Sequence, residues 1–422
     1  MKILPATLPG IAIPMALYLF ASIVLTGCFG IEEDAGSGPV TVDWDTAFVL
    51  DGTELSRASS AVVRSQVRSG TRGRMDAFYR KCEAGGEVRI GFIGGSITEG
   101  ALAGDLGNRY SSRFCRFLSR RFPNSRISEI NAGIGSTTSR YGCSRVQSDL
   151  LSKSPDMVVI EYAVNDNPLD SALVMATMEG LIRKCLVSAD SPVLLFQTMN
   201  RNGDSLNHRY QVRLADHYDV PVISYRQGLF PEISVGRLKA ESIFADNVHP
   251  NAMGHLAGAY LLYAAVAGMY PELSSQGKPV WPITPVPAPF STDFYARAGL
   301  LEAGDSTIRL LRSSGWTQGN DARGREIFSA DSTGAFLEFE CPADEMVIGY
   351  RVRKDLNATI EMTVDGKSVE SITNGFPEDW GGGFTQFRLA YGNPPSHALH
   401  KVGLRLSSGG FVIIEALLYA GK

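Results

Sequence analysis

The stretch Val88-Arg89-Ile90-Gly91-Phe92-Ile93-Gly94-Gly95-Ser96-Ile97-Thr98-Glu99-Gly100 decides the fold. Val88 to Ile93 is a short apolar run of the kind that forms a strand buried on both faces. Gly94 and Gly95 let the chain turn sharply. Ser96 is thereby left at the strand's C-terminal end, near a following helix, where backbone N–H groups can face a developing negative charge. A Gly-Gly-Ser turn alone is an ordinary loop, so its meaning depends on what surrounds it.

Outward from this stretch the pattern alternates strand and helix. Ile127 to Ile130, Met157 to Tyr162, Val193 to Phe196 and Val220 to Ile223 read as further strands. Helical periodicity fills the intervals around Tyr110 to Phe122, Arg145 to Leu151, Leu173 to Val187, Leu206 to His217 and Ala252 to Tyr270. Such alternation predicts a parallel sheet covered by helices on both faces, doubly wound through right-handed crossovers. Ligands of these sheets sit outside the carboxyl ends of the strands. The second strand runs into Asn131-Ala132-Gly133-Ile134-Gly135-Ser136-Thr137-Thr138 and the third into Ala163-Val164-Asn165-Asp166. Each could be a plain turn or helix cap, yet all three turns fall on one edge.

A fourth element, Asp246-Asn247-Val248-His249-Pro250, precedes the last helix. Asp and His three residues apart can share one turn, so that the carboxylate orients the imidazole. The plainer alternative is a capping or surface pair. His255 lies near enough to suggest a metal site with Asp246 and His249, but its place inside a helical pattern favours packing.

Together the Gly94 to Thr98, Asn131 to Thr138, Val164 to Asp166 and Asp246 to Pro250 segments resemble the four signature blocks of SGNH (GDSL-like) hydrolases, in order, over roughly residues 85 to 270. The resemblance implies a flavodoxin-like three-layer α/β/α domain and ester hydrolysis without a metal or other cofactor. It implies Ser96 as nucleophile, His249 as general base and Asp246 as its orienting acid. The oxyanion hole would take the Ser96 N–H, the Asn165 amide and a backbone N–H from the second block, Gly135 being the choice. The chain departs from the family at three points. Gly95 stands where many relatives carry Asp, Ala163-Val164 replace glycines, and a gapless alignment could place the expected glycine on Ser136. A serine hydroxyl is a poor nucleophile until a base takes its proton, and histidine, with an ordinary pKa of about 6.5, suits that task near neutral pH.

The N-terminal end reads as a leader. Lys2 is followed by an apolar run from Ile11 to Leu25, short for a membrane span, ending in Leu25-Thr26-Gly27-Cys28. That ending resembles a bacterial lipobox, which implies lipid attachment at Cys28 and a membrane-anchored, exported protein; a plain signal peptide or uncleaved anchor is the alternative. Ile31 to Gly38 then reads as a tether, its acidic trio weakly similar to a surface-export signal. Five cysteines remain, an odd number for disulfide pairing, and no C-x-x-C occurs. Across 422 residues, 44% hydrophobic and 20% charged residues are enough for a real core, and a net charge of -4 gives no electrostatic reason to expect nucleic acid. Neither an oligomeric state nor a disulfide pairing follows from these residues.

Pro279, Pro282, Pro285, Pro287 and Pro289 mark a stiff connector that could also lie across the domain surface. Beyond Phe290 short alternating runs appear, including Ala335 to Glu340, Met346 to Val352, Ile360 to Val364, Val402 to Leu406 and Phe411 to Ile414, with hairpin signals at Asp365-Gly366 and Gly409-Gly410. These predict a β-sandwich. The expected organisation is a leader at 1–28, a tether and extension at 29–69, a catalytic domain at 70–275, a linker at 276–291 and a β-sandwich at 292–422.

Gln197 to Asn200, with His217-Tyr218 through Tyr225, resembles a bacterial SGNH subgroup of carbohydrate-esterase character. The C-terminal pattern Val364-Asp365-Gly366, Trp380-Gly381-Gly382 and His400-Lys401-Val402 is similar to its jelly-roll, galactose-binding-like module. The implied substrate is an O-acetylated polysaccharide. Trp316, Trp380, Phe384 and Tyr391 are candidate sugar platforms, each more often core than platform, and the module could simply buttress the catalytic domain. A lipid esterase, an acetyltransferase and a non-catalytic glycan-binding lipoprotein are the rival readings, the last disfavoured by the presence of all four blocks. Arg109, Tyr110 and Arg140, near those blocks, could contact substrate, but ion pairing or packing is the expectation for each.

Overall fold

A computed structural model describes residues 47–50, 53–56, 59–70, 72–167, 169–204, 207–273, 280–301, 307–378, 383–392 and 398–421. The expected lipobox at Cys28, most of the tether and the Trp380 segment lie outside them.

Six strands form the central sheet: β1 (Gln66–Arg68), β2 (Gly86–Gly94), β3 (Ser125–Gly133), β4 (Met157–Glu161), β5 (Val193–Gln197) and β6 (Val222–Ser224), in spatial order β1-β6-β5-β4-β2-β3. β2 to β6 are parallel, and β1 is an antiparallel edge. The five parallel strands follow the flavodoxin-like order, whose switch point lies beside the first strand of the series, here β2.

Alternate residues of each strand enter opposite cores, as a two-sided sheet requires. Phe92 and Val159 join Met75, Phe114 and Tyr260 from the helices Arg72–Ala84, Tyr110–Arg121 and Ala252–Leu273. Ile93, Val158 and Ile160 join Val146, Leu181 and Leu214 from Ser139–Asp149, Ser171–Ser188 and His208–Tyr218 on the other face.

Most elements stand where periodicity places them, with three differences. The helix expected from Arg145 begins at Ser139, because its first turns are polar and small and carry no apolar stripe. The helices Arg72–Ala84 and Tyr225–Ser234 escape the pattern. Part of the stretch expected to be extension is folded: Ser60–Ser65 buries Ala61 and Val62, and Gln66–Arg68 adds the edge strand. A three-residue strand has no readable period.

The C-terminal region is an antiparallel sandwich. One sheet runs Arg309–Ser314, Phe336–Cys341, His400–Ser408, Thr359–Val364, Lys367–Thr373, and the other Thr317–Asn320, Glu326–Ala330, Val412–Ala420, Glu345–Val352, Phe384–Tyr391. Gly299–Leu300 pairs with Val412–Ala420 in the second sheet. Leu337, Phe339, Ile348, Ile360, Leu404 and Ile414 fill the space between. Asp365 and Gly366 both take positive φ, 51° and 76°, the tight hairpin that Asp-Gly predicts. Trp316, Phe384 and Tyr391 pack against this core, Phe384 edge-on to Phe376 at 5.0 Å.

The Pro-rich connector lies along the catalytic domain. The Glu179 carboxylate accepts the N–H groups of Phe290, Ser291 and Thr292, the Ser291 hydroxyl and the Tyr218 hydroxyl, while Arg183 holds the Pro287 carbonyl at 2.6 Å. Arg140 and Glu345 join the domains at 2.7 Å, and the Tyr141 and Phe387 rings meet at 4.9 Å. Among the described residues, Cys82, Cys115, Cys143, Cys185 and Cys341 are buried thiols with no disulfide between them.

Candidate active site

β2 ends at Gly94, and Ser96 opens a one-turn helix that stops at Glu99, with Gly100 in the left-handed region at φ 99°. No side chain fits at position 95. A Cβ there would come within 2.2 Å of Asn165 Oδ1, because the Asn165 amide, carried by the turn after β4, lies directly over it. An Asp at this position would have to displace Asn165. Gly133, ending β3, is equally tight, since its Cβ would stand 2.2 Å from the Glu99 nitrogen. Crowding by the Asn165 side chain at one turn and by the Thr98–Glu99 backbone at the other therefore sets the small residues of both turns.

The fourth element reaches this point from the far end of the sequence. Asp246 Oδ1 accepts the N–H groups of Val248 at 2.7 Å and His249 at 2.6 Å, and Asp246 Oδ2 meets His249 Nδ1 at 2.8 Å. His249 Nε2 lies 2.9 Å from Ser96 Oγ. Asn251 braces the loop, taking the Gly254 N–H at the start of the last helix and donating to the Glu241 and Ser242 carbonyls. Partial burial raises the Asp246 pKa, but the His249 ring and the two backbone N–H groups outweigh it and hold the carboxyl below its ordinary value. An ionised Asp246 fixes the Nδ1–H tautomer, leaving the Nε2 lone pair to face the serine hydroxyl. The arrangement can therefore deprotonate Ser96.

Among the expected oxyanion donors, Asn165 lies over Gly95, the residue before Ser96. Gly135 faces Ser96, a Cβ on it standing 3.7 Å from Ser96 Cβ, yet its N–H donates to Glu99 Oε2 at 2.8 Å. Ser136 follows with φ 57°. His255 is buried on the Tyr110 ring, stacked at 6.2 Å, and burial lowers its pKa to about 4. It packs, as its helical position predicts. Arg140 pairs with Glu345, and the Arg109 stem lies against Gly100.

Sequence reasoning passed over the buried polar groups beneath the site. Glu161 ends β4 and accepts hydrogen bonds from Thr198 at 2.6 Å and Thr98 at 3.2 Å. Thr98 also bonds the Tyr110 hydroxyl at 2.8 Å. Asp166 accepts the Ser139 N–H at 2.9 Å, tying the third block to the helix after the second. Burial raises both carboxyls to about 7. Arg145, wholly buried, donates to the Ala132 and Gly94 carbonyls at 2.6 and 3.2 Å. A lone acid ending the apolar run Met157 to Glu161 was the readable signal; Arg145 looked like any polar helix residue.

Comparison with known proteins bears on this site. The GDSL-like Lipase/Acylhydrolase family model matches residues 92–257, which contain Ser96, Asn165, Asp246 and His249. The crystal structure of the two-domain esterase CEX, active on acetylated mannans, superposes with a TM-score of 0.75 at 27% identity, covering 86% of this chain and 98% of that one. CEX co-crystallised with mannopentaose matches at 26% identity with the same TM-score and coverage. No curated protein sequence matches the chain. Residues 92–257 thus match the GDSL-like lipase/acylhydrolase family, the chain as a whole is similar to an SGNH-type carbohydrate esterase, and it is a carboxylic ester hydrolase.

Proposed function

We propose that the protein removes O-acetyl groups from a polysaccharide, with an acetylated mannan as first candidate, through an acyl-enzyme on Ser96. The observation that carries this reading is the unbroken contact series Asp246–His249–Ser96, at 2.8 and 2.9 Å, in a chain 86% of which matches a two-domain esterase active on acetylated mannans. Ser96 Oγ attacks the acetyl carbonyl as His249 Nε2 takes its proton. The tetrahedral oxyanion is held by the Ser96 N–H and the Asn165 amide, with a backbone N–H of the 133–136 loop. As the acetyl–sugar C–O bond breaks, His249 gives the proton to the departing sugar oxygen, which leaves as a hydroxyl. Water, deprotonated by the same imidazole, then attacks the acyl carbonyl and releases acetate and free Ser96.

Acetate release from acetylated mannan, xylan and pectin, measured beside turnover of nitrophenyl esters of increasing chain length, tests the substrate class. The expected result is acetate release with activity falling steeply beyond the acetyl ester. A preference for long acyl chains would overturn the carbohydrate assignment and favour a lipid ester.

The anchor at Cys28 belongs to the same proposal, since an exported enzyme meets polymers that do not enter the cell. Incorporation of labelled fatty acid into wild-type protein and its loss in Cys28→Ala is the expected result. Label that persists in Cys28→Ala would remove the anchor.

A further inference from the structure

The accessory domain touches the catalytic strand ends directly. Its turn Asp321–Arg325 is built stiffly: Asp321 Oδ1 accepts the N–H groups of Arg323 and Arg325 at 2.8 and 2.9 Å, and Gly324 takes φ 80°. The turn projects Arg323 onto β3. Arg323 Nη2 donates to the Gly133 carbonyl at 3.2 Å, and Nη1 reaches Asp149 Oδ2 at 3.4 Å. Asp149 also holds Arg145 at 2.8 Å, and Arg145 in turn donates to the Ala132 and Gly94 carbonyls. Arg325, from the same turn, donates to the Tyr141 hydroxyl at 2.5 Å.

Gly94, Ala132 and Gly133 are the carbonyls immediately before the two reacting turns. Gly94 leads into Gly95-Ser96, and Gly133 leads into Ile134-Gly135-Ser136. The two turns are also tied to each other, the Ile134 N–H donating to the Gly94 carbonyl at 3.1 Å. Guanidinium groups from two domains thus grip both turns from behind.

We infer that Arg323 is a positioning residue for the reaction: through the Gly133 carbonyl, the accessory domain sets where the 133–136 loop stands relative to Ser96. The accessory domain then contributes to turnover of any ester, including one too small to touch it. This rests on the proposed role of the 133–136 loop in holding the oxyanion. A donor displaced by a fraction of an ångström loses much of its worth, because a preorganised hydrogen bond acts only at the place where charge develops.

The test compares the full chain with Arg323→Ala and Arg323→Gln, on nitrophenyl acetate and on acetylated mannan. The Arg323 side chain is 38% exposed, so truncation leaves the sandwich core and the Tyr141–Phe387 contact in place; a thermal midpoint verifies the fold. The expected result is a fall in kcat of about tenfold on both substrates with KM unchanged within about twofold. Amide hydrogen exchange at Ile134 to Ser136 is expected to quicken by a similar factor. Wild-type kcat on nitrophenyl acetate together with unchanged exchange would overturn the inference, as would a rise in KM confined to the polymer, which marks a glycan contact. The exchange measurement does not depend on catalysis. Should Ser96→Ala retain wild-type turnover, the esterase assignment fails by itself, and faster exchange in Arg323→Ala would still establish the grip on the loop.

Discussion

The Gly135 amide donates to the Glu99 carboxylate at 2.8 Å, one helical turn from Ser96. A carboxylate therefore engages a backbone donor that faces the serine. Freeing that donor means giving up a charge-assisted hydrogen bond, worth about 1.5–3 kcal/mol. Glu99→Ala is expected to raise kcat on nitrophenyl acetate severalfold, up to about tenfold, the gain from lowering the barrier by about 1.4 kcal/mol. A tenfold loss in that variant would assign Glu99 a supporting role and leave Ser136 as the loop donor.

Asn165 and Gly95 form one unit. Asn165→Ala should lower kcat by about 10²–10³ without unfolding the protein, the usual cost of a missing oxyanion donor. Gly95→Ala should do comparable damage indirectly, because its methyl would occupy the position of the Asn165 amide. Steady-state kinetics beside thermal midpoints check both; Gly95→Ala with wild-type kcat would mean that the amide is not needed where it lies.

Asp246→Asn keeps an oxygen for the Val248 and His249 N–H groups but turns an amide toward Nδ1. The imidazole then favours the other tautomer, and kcat should fall by about 10²–10⁴ while the fold survives. A loss below about tenfold would show that the backbone loop alone positions His249. The ionised carboxylate is present above the depressed pKa of Asp246 and is lost as pH falls through it, so the wild-type rate should hold down to mild acidity as far as this group is concerned.

Glu161 and Asp166 make stability depend on pH in the opposite sense to an ordinary salt-bridged acid. Burial raises both folded-state values to about 7, above their unfolded values. The folded protein then binds more protons between the two values, so their favourable contribution is full at low pH and is lost as pH rises toward and through 7. Denaturant midpoints should fall between about pH 5 and about pH 8, and Glu161→Gln should flatten that slope and stabilise the protein at the higher pH. An unchanged slope in Glu161→Gln would mean that this carboxyl is not the titrating group.

Glu179 latches the connector by gathering the N–H groups of residues 290, 291 and 292. Glu179→Ala leaves those donors without their acceptor and should cost about 2–4 kcal/mol. Limited proteolysis should cut the variant between residues 280 and 292 faster than wild type. Equal cutting rates would show that the proline contacts alone hold the connector.

The parallel sheet, the sandwich and the order of the four blocks were legible in the sequence, because each rests on local periodicity or short-range turn chemistry. Ile90 to Ile93 is apolar because both faces of β2 are buried there, and Asp365-Gly366 turns because both residues accept positive φ. Those signals survive in any context. What only the tertiary structure decided are meetings between distant residues: the engagement of the Gly135 amide by Glu99, the buried Arg145 beneath two strand ends, the Arg323 contact from the other domain, and the folding of residues 59–68 onto the sheet edge. Such pairings depend on which surfaces the finished fold brings within about 3 Å. No spacing along the chain encodes that distance, since it is set by the packing of whole elements and not by the residues on either side.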